Sequence, residues 1–438
     1  MFARRIAMIR MTLDEGDRVD RLLQADLGFH DANGGHMRHG LHAFAAKFPP
    51  QLPAWFIEGL TESGDVVLDP FLGSGTTVVE AIRLHRRAMG IDIDPLAVLM
   101  SRVKTFPLDS NRVLDYGTAI LDHARSNLCH PERLLQRVAM RFVEEKDRQF
   151  VDYWFLPSTV LELEALMEGI EAVDEPDYRQ FLLVVFSSII VTKSGGVSMA
   201  RDLAHSRPHK VATKVPKSAI DSFHKRILKL ASTLTALDSP YEPVIQQGDI
   251  RQLDVVENSV DLIVTSPPYA NAIDYVRANK FSLVWMGRPL RELAVLRSNY
   301  IGSESDKLFE WNMFPDRVRS ILSALDVKDH HKAGLLARYF ADMRQAMKGM
   351  YRALKPGKSA FIVVGTSTMR GLDVETPQSL ASIAQDDIGY RLQGVVERSL
   401  DRDRRMMPAR WGNRLTGIEQ RMHTEHVIAL AKPQEVER

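Results

Sequence analysis

Residues 65–95 constrain the fold more than any other stretch of the chain. "DVVLDP" (Asp65–Pro70) is a short apolar run rich in β-branched residues and reads as a buried strand. "GSGTTVVEAIRLHRR" follows as a Gly-rich turn and a helix, and "AMGIDIDP" as a second strand. A strand, a crossover helix and a strand this close together predict a parallel pair, the unit of a doubly wound α/β sheet. In such sheets ligands bind beyond the carboxyl ends of the strands. Asp69 closes the first strand and Asp92 the second, so both acids are expected at that edge.

The alternation stops after residue 108. Residues 109–243 are mostly helical in pattern, with "LPSTVLELEALMEGIEAV" and "SAIDSFHKRILKLASTLTAL" as the clearest amphipathic runs. Strand-like pieces return at "PVIQQGDI" and "VDLIVTSPPY". A helical stretch from near Ala333 leads into "ALKPGKSAFIVVGT", and "YRLQGVVERSL" and "EHVIALAKP" close the chain as two strands suited to antiparallel pairing at a sheet edge. The reading divides the chain into a polar N-terminal extension (1–38), a core half around the Gly-rich turn (39–108) and a helical insertion long enough to pack by itself (109–243). A second core segment (244–287), a second insertion (288–335) and the C-terminal strands (336–438) follow.

Composition narrows the class. The chain has 438 residues, 45% hydrophobic and 26% charged, the values of an ordinary globular protein. With a net charge of +1, any attraction to nucleic acid must come from a local patch. Cys129 is the only cysteine, which excludes a disulfide framework and a multi-cysteine metal site. His205 and His209 are four apart but lack an HExxH pattern or clustered acids, so no metal is expected. The longest apolar run, "FLLVVFSSII", is too short to span a bilayer, and the N-terminus lacks a signal-peptide core. A soluble, cytoplasmic protein is expected.

The Gly-rich turn admits several readings. "VLDPFLGSGTT" (Val67–Thr77) lacks the lysine of a phosphate loop, and Thr76-Thr77-Val78 after Gly75 breaks a G-x-G-x-x-G dinucleotide pattern. A packing turn with two solvent-facing acids would need no ligand at all. Asp92, one helix on, suits hydrogen bonding to the ribose of a nucleoside cofactor.

Together with "GIDIDP" and "TSPPY", the segment "DPFLGSGTT" resembles the motifs of S-adenosylmethionine-dependent DNA amino-methyltransferases, "TSPPY" in the form typical of the cytosine-N4 enzymes. "HAFAAKFPPQLPAWFI" from His42 and "QQGDI" resemble the segments beside the cofactor's methionine end and its adenine. The resemblance covers roughly residues 39–108, 244–290 and, more faintly, 340–432. It implies a Rossmann-like methyltransferase domain: a mostly parallel seven-stranded sheet with an antiparallel edge strand, interrupted by the helical insertion. It also implies cofactor contacts from Lys47, Phe48, Asp69, Pro70, Phe71, Gly73, Ser74, Gly75, Thr76, Asp92, Ile93, Asp249, Ile250 and Ser266. In the commonest arrangement of this class "TSPPY" precedes the Gly-rich motif; here it follows, with the insertion between. The order leaves open which segment recognises DNA.

Reaction is expected at Ser266, Pro267, Pro268 and Tyr269. The exocyclic amine of cytosine is a poor nucleophile because its lone pair is delocalised into the ring. Acceptors around its N–H bonds, Ser266 Oγ and the Pro267 carbonyl, would free that lone pair. Each proline fixes its own φ, holds the preceding residue extended and lacks an N–H, so the acceptors are preorganised. Tyr269 offers a face for stacking a base flipped out of the duplex. Serine at 266 goes mostly with cytosine-N4 in enzymes of this kind. Adenine-N6 chemistry, an RNA base and a non-catalytic DNA-binding subunit remain as alternatives. Cytosine-C5 methylation needs a cysteine nucleophile, and Cys129 lies within the helical insertion, far from any strand end.

Double-stranded DNA is the expected partner, with a cognate restriction endonuclease as a genetic companion and no membrane. Lys193, Arg201, Arg207, Lys210, Lys214 and Lys217 stand against Asp202 alone in "KSGGVSMARDLAHSRPHKVATKVPK", a loop suited either to phosphate or simply to water. "DRDRRMMPARWGNR" carries Arg405 and Arg410 between the last two strands. Residues 109–243 are the preferred target-recognition region, and the stretch near 288–335 the second.

Overall fold

The computed structural model describes residues 14–30, 37–44, 49–192, 196–201, 203, 208–234, 237–252, 255–270, 275–303, 310–400 and 424–434. The first half contains α1 (Glu15–Leu23), α2 (Gln51–Leu60), β1 (Val66–Asp69), α3 (Thr76–Arg83), β2 (Arg87–Asp92) and α4 (Pro95–Thr105). The insertion supplies α5 (Ser110–Asn127), α6 (Pro131–Arg141), α7 (Glu145–Trp154), α8 (Pro157–Glu171), α9 (Pro176–Ile190) and α10 (Ala219–Ala231). Next come β3 (Val244–Gln247), β4 (Val260–Thr265), α11 (Tyr275–Trp285), α12 (Leu290–Ser298), α13 (Asp316–Asp326), α14 (His330–Ala353) and β5 (Leu354–Gly365). A small hairpin of β6 (Thr368–Met369) and β7 (Leu372–Asp373), then α15 (Thr376–Ser382), β8 (Arg391–Ser399) and β9 (Thr424–Ala431), complete the order.

The main sheet runs β3-β2-β1-β4-β5-β9-β8. Strands β1 to β5 are parallel, and β9 is antiparallel to both β5 and β8. This is the expected seven-stranded Rossmann-like sheet, with one difference in detail. The antiparallel strand sits one place in from the edge, and β8 is the edge. The burial pattern explains the placement. After Thr424, every residue of β9 is buried, whereas β8 is mostly half-exposed. A strand apolar on both faces needs cover above and below and a neighbour on each side.

Side-chain alternation builds three layers. Leu68, Ile263, Ile362 and Ile428 face the side covered by α13 and α14. Val67, Leu262, Phe361 and Val427 face the side covered by α1, α2 and α3. Phe56 of α2 stacks on Phe361 at 3.9 Å between ring centroids. Residues 14–27, read from sequence as part of a polar extension, belong to this layer. Asp14 caps α1 by accepting from Asp17 N at 2.9 Å, and Val19, Leu22 and Leu27 are buried. The polar composition hid a helix with one apolar stripe.

The insertion is helical as expected, but it is not a separately packed unit. Its core of Phe181, Phe186 and Phe223 is continuous with Met100 and Val103 of α4 and with Phe281 and Trp285 of α11. The two core segments it separates thus provide one wall of its core. Among the described residues no helix is long and apolar enough to cross a membrane.

The parallel strands point their carboxyl ends the same way, so Asp69, Asp92, Gln247 and Thr265 end at one edge. Strand order reverses between β1 and β4, which opens the crevice where doubly wound folds bind ligands. One wall depends on Gly349 in α14: a Cβ there would lie 2.6 Å from the Ile250 carbonyl oxygen. Gly349→Ala is expected to destabilise the protein by about 1–3 kcal/mol despite alanine's better helix propensity, because α14 must back away from that wall. Denaturant unfolding would detect it, and unchanged stability would refute the packing argument.

Candidate active site

The turn after β1 is held by backbone and carboxylate bonds together with the buried Leu72 side chain. Leu72 N donates to Ile91 O at 3.0 Å and Gly75 N to Leu72 O at 2.8 Å. Gly73 and Gly75 have φ of 48° and 76°, the left-handed region that glycine occupies at little cost. A Cβ on Gly75 would also lie 2.6 Å from Ser101 Oγ, so α3 and α4 close up only around a glycine. Beneath the turn the fully buried Lys104 Nζ donates to Ser74 O, and Arg38 Nη1 donates to Lys104 O at 3.1 Å.

Asp92 is the best-oriented acid. Its Oδ2 accepts from Gly73 N at 2.7 Å and its Oδ1 from Asp94 N at 2.8 Å. Burial, with repulsion from Asp94 second, pushes its carboxyl up to about 7. Asp94 caps α4 by accepting from Leu96 N at 2.8 Å and also receives Asn279 Nδ2 of α11 at 2.6 Å. That contact ties the turn to the segment following "TSPPY". Asp69 lies below, fully buried and pushed up to about 6 by desolvation; its Oδ1 accepts from Thr265 Oγ1 at 2.6 Å.

The end of β3 closes another side. Asp249 lines the cleft, but Arg251 grips its carboxylate, with Nη2 to Oδ2 at 2.6 Å. Arg251 Nη1 reaches Asp342 Oδ1 at 2.6 Å, and its Nη2 also donates to the Asn299 carbonyl. This guanidinium draws residues 299–301 onto the cleft wall.

Beyond β4, Ser266 Oγ donates to Val363 O at 3.1 Å. Pro267 is buried, Pro268 half-buried, and Tyr269 Oη donates to Glu425 Oε1 at 2.7 Å. A cleft joins the Gly-rich turn, the end of β3, Ser266 and Pro268; Pro267 and Tyr269 are not among the residues that line it. Pro70, Phe71, Gly73, Ser74, Thr76, Asp92, Ile93, Asp249, Ile250, Ser266 and Pro268 line it. Asp69 and Gly75 stand behind it as supports. Lys47 and Phe48 lie outside the described residues.

Sequence reasoning missed Asp94, Ala97, Arg251, Asn299, Tyr300 and Ile301, and did not single out Phe44 within its segment. Asp94 was visible as the second acid of "GIDIDP"; residues 299–301 reach the cleft through Arg251 and carry no local signal.

The basic candidates are dispersed. Lys193, Arg207, Arg405 and Arg410 lie outside the described residues. The backbones of residues 200 and 210 form an antiparallel bridge. Arg201 is exposed there, and Lys210 Nζ lies 4.2 Å from the Tyr153 ring centroid. Lys214 Nζ donates to Ser198 O and Ala200 O, each at 2.6 Å, and burial lowers its pKa. Lys214 thus braces the loop. Among the described residues no group of His, Cys, Asp or Glu could hold a metal ion.

A DNA methylase family model that spans N6 and N4 types matches residues 26–102. The type II methyltransferase M.MvaI of Kocuria varians is 25% identical over 80% of this chain and 81% of its own. M.BsoBI of Geobacillus stearothermophilus, also a type II methyltransferase, is 24% identical over 67% of this chain and 61% of its own. A solved S-adenosylmethionine-dependent methyltransferase from Methanosarcina mazei aligns with 87% of this chain and 98% of its own at 11% identity and a TM-score of 0.32. Sheet order, cleft and the sequence matches together support an S-adenosylmethionine-dependent methyltransferase of the DNA amino-methylase kind.

Proposed function

We propose that the protein methylates the exocyclic N4 amine of cytosine in DNA within a short sequence context. Bound in the cleft, S-adenosylmethionine supplies a methyl group made electrophilic by its sulfonium. The residues suit it: Asp92, with both oxygens oriented by backbone N–H groups, is set to accept from ribose hydroxyls. In the Gly73–Thr76 turn that opens α3, Gly73 and Gly75 spend their N–H groups on Asp92 and Leu72, which leaves those of Ser74 and Thr76 as the donors suited to a carboxylate.

One observation carries the amine-methylation reading, and the serine at 266 is the reason for choosing cytosine over adenine. The Ser266 hydroxyl gives its proton to the Val363 carbonyl, so the oxygen facing the cleft presents lone pairs. A hydroxyl fixed in this way acts as an acceptor for an amine. Pro267 and Pro268 keep the neighbouring backbone in one conformation and bring no competing N–H. The Tyr269 ring stacks the flipped base, and the order imposed on the amine supplies much of the rate.

Arg201 and Lys210, with the segments carrying Lys193, Arg207, Arg405 and Arg410, are the proposed phosphate and groove contacts. Its relatives bear the type II name, which favours a cognate nuclease as genetic partner.

The test is nucleoside mass spectrometry of DNA incubated with the protein and labelled cofactor. Label in N4-methylcytosine is expected. Label in N6-methyladenine would keep the chemistry and overturn the reading of Ser266. Label only in RNA would replace the polymer, and no label anywhere would favour a non-catalytic binder.

A further inference from the structure

We infer that Glu425 is a positioning residue for Tyr269 and that Arg398 holds Glu425 in that role; the inference rests on Tyr269 being the ring that stacks the target base. The two oxygens of Glu425 have different donors. Oε1 receives Tyr269 Oη at 2.7 Å and Oε2 receives Arg398 Nη1 at 2.6 Å. Arg398 Nε donates in turn to the Leu27 carbonyl at 3.1 Å. The Arg398 side chain is 2% exposed and that of Glu425 12%, so water competes little for these bonds.

The chain of contacts sits on rigid structure. Arg398 and Glu425 are direct cross-strand partners in the β8–β9 ladder. Burying an ion pair is no general route to stability. Here the pair fixes one acceptor oxygen against the reactive loop and neutralises a carboxylate that would otherwise repel a polyanion. Pro267 and Pro268 set the backbone entering Tyr269, and Glu425 sets the far end of its ring. A ring held at both ends is ordered before the base arrives, which spares that cost during binding and reaction. No motif pointed to Glu425: it lies 156 positions from Tyr269 and opens a strand expected only to pair.

The experiment measures labelled-methyl incorporation into unmethylated genomic DNA with the full-length protein in excess, alongside cofactor affinity and thermal stability. Tyr269→Phe removes only the hydroxyl. The double variant Arg398→Met/Glu425→Met removes the anchor without orphaning a buried charge. Each is expected to slow transfer about tenfold at unchanged cofactor affinity, as for loss of a hydrogen bond to a charged group. Adding Tyr269→Phe to the double variant should cost nothing further, because both changes break one bond. A wild-type rate for Tyr269→Phe overturns the inference even if the double variant does not fold, and so do additive losses in the triple variant. If Tyr269→Ala also transfers at the wild-type rate, the stacking role fails, and the inference with it; a slow Tyr269→Ala beside a fast Tyr269→Phe sinks the anchor alone.

Discussion

Ser266→Ala is expected to slow methyl transfer about 100-fold while changing cofactor affinity by no more than a few-fold. The magnitude is that of deleting one preorganised polar group that acts on the reacting atoms. The physical case rests on direction. Ser266 Oγ donates to Val363 O at 3.1 Å, so alanine removes an acceptor aimed into the cleft and also deprives a buried carbonyl of its donor. An interaction made to the reacting amine lowers the single-turnover rate and leaves the ground-state binding of the cofactor nearly intact. Single-turnover kinetics beside calorimetric cofactor binding would separate the two. Equal losses in both would mean that Ser266 is a cofactor contact and nothing more.

Asp92→Asn is the second large effect: a loss of cofactor affinity of about 10- to 100-fold. The substitution looks mild but is not. Both Asp92 oxygens accept backbone N–H groups, from Gly73 and Asp94. An asparagine has one oxygen, so its amide must face one N–H donor to donor, and the turn has to move. A pH signature accompanies the mutation. With its carboxyl pushed up to about 7, Asp92 in the folded protein takes up a proton well before an unfolded aspartate does. Its stability contribution is therefore full below the unfolded pKa near 4 and declines as pH rises toward 7. Asp69, raised to about 6, acts with the same sign. Cofactor affinity runs the other way, because the protonated carboxyl cannot accept from both ribose hydroxyls. Between about pH 8 and about pH 5.5, binding to the parent should weaken while this part of its stability grows. Asp92→Asn should flatten the affinity trend and remove its own share of the stability trend, leaving that of Asp69. A cofactor affinity independent of pH in the parent would show that Asp92 is not the ribose acceptor.

The parts of the site visible in sequence are those where chemistry depends on a local run. A turn that needs two left-handed residues writes two glycines at 73 and 75. A strand end that runs into a rigid loop lacking N–H donors writes two prolines at 267 and 268. A doubly wound unit could be inferred because β1, α3 and β2 follow one another closely, and the motif resemblance implied the rest of the Rossmann-like sheet. Asp94 was within reach of the same reasoning, as the second acid after β2.

Contacts that join distant segments had no such signature. Arg251 acts by gripping Asp249, Asp342 and the carbonyl of Asn299, and thereby builds a cleft wall from a region that sequence marked as a second insertion and second choice for target recognition. Gly349 reads as a weak helix position until Ile250 is seen against it. The insertion's amphipathic helices announce an apolar face but not its partner. Tertiary structure turned that face onto α4 and α11, so the insertion shares its core with them. The amino-acid sequence alone determined the strand–helix–strand unit and the Gly-rich turn, because each depends on neighbours within a few positions, and the motif resemblance supplied the residues expected at the reactive loop. Only the tertiary structure decided that β9 lies inside the edge, that the Ser266 hydroxyl donates to the Val363 carbonyl and that Glu425 meets Tyr269. Those outcomes depend on which buried polar atoms find each other once the strands have paired.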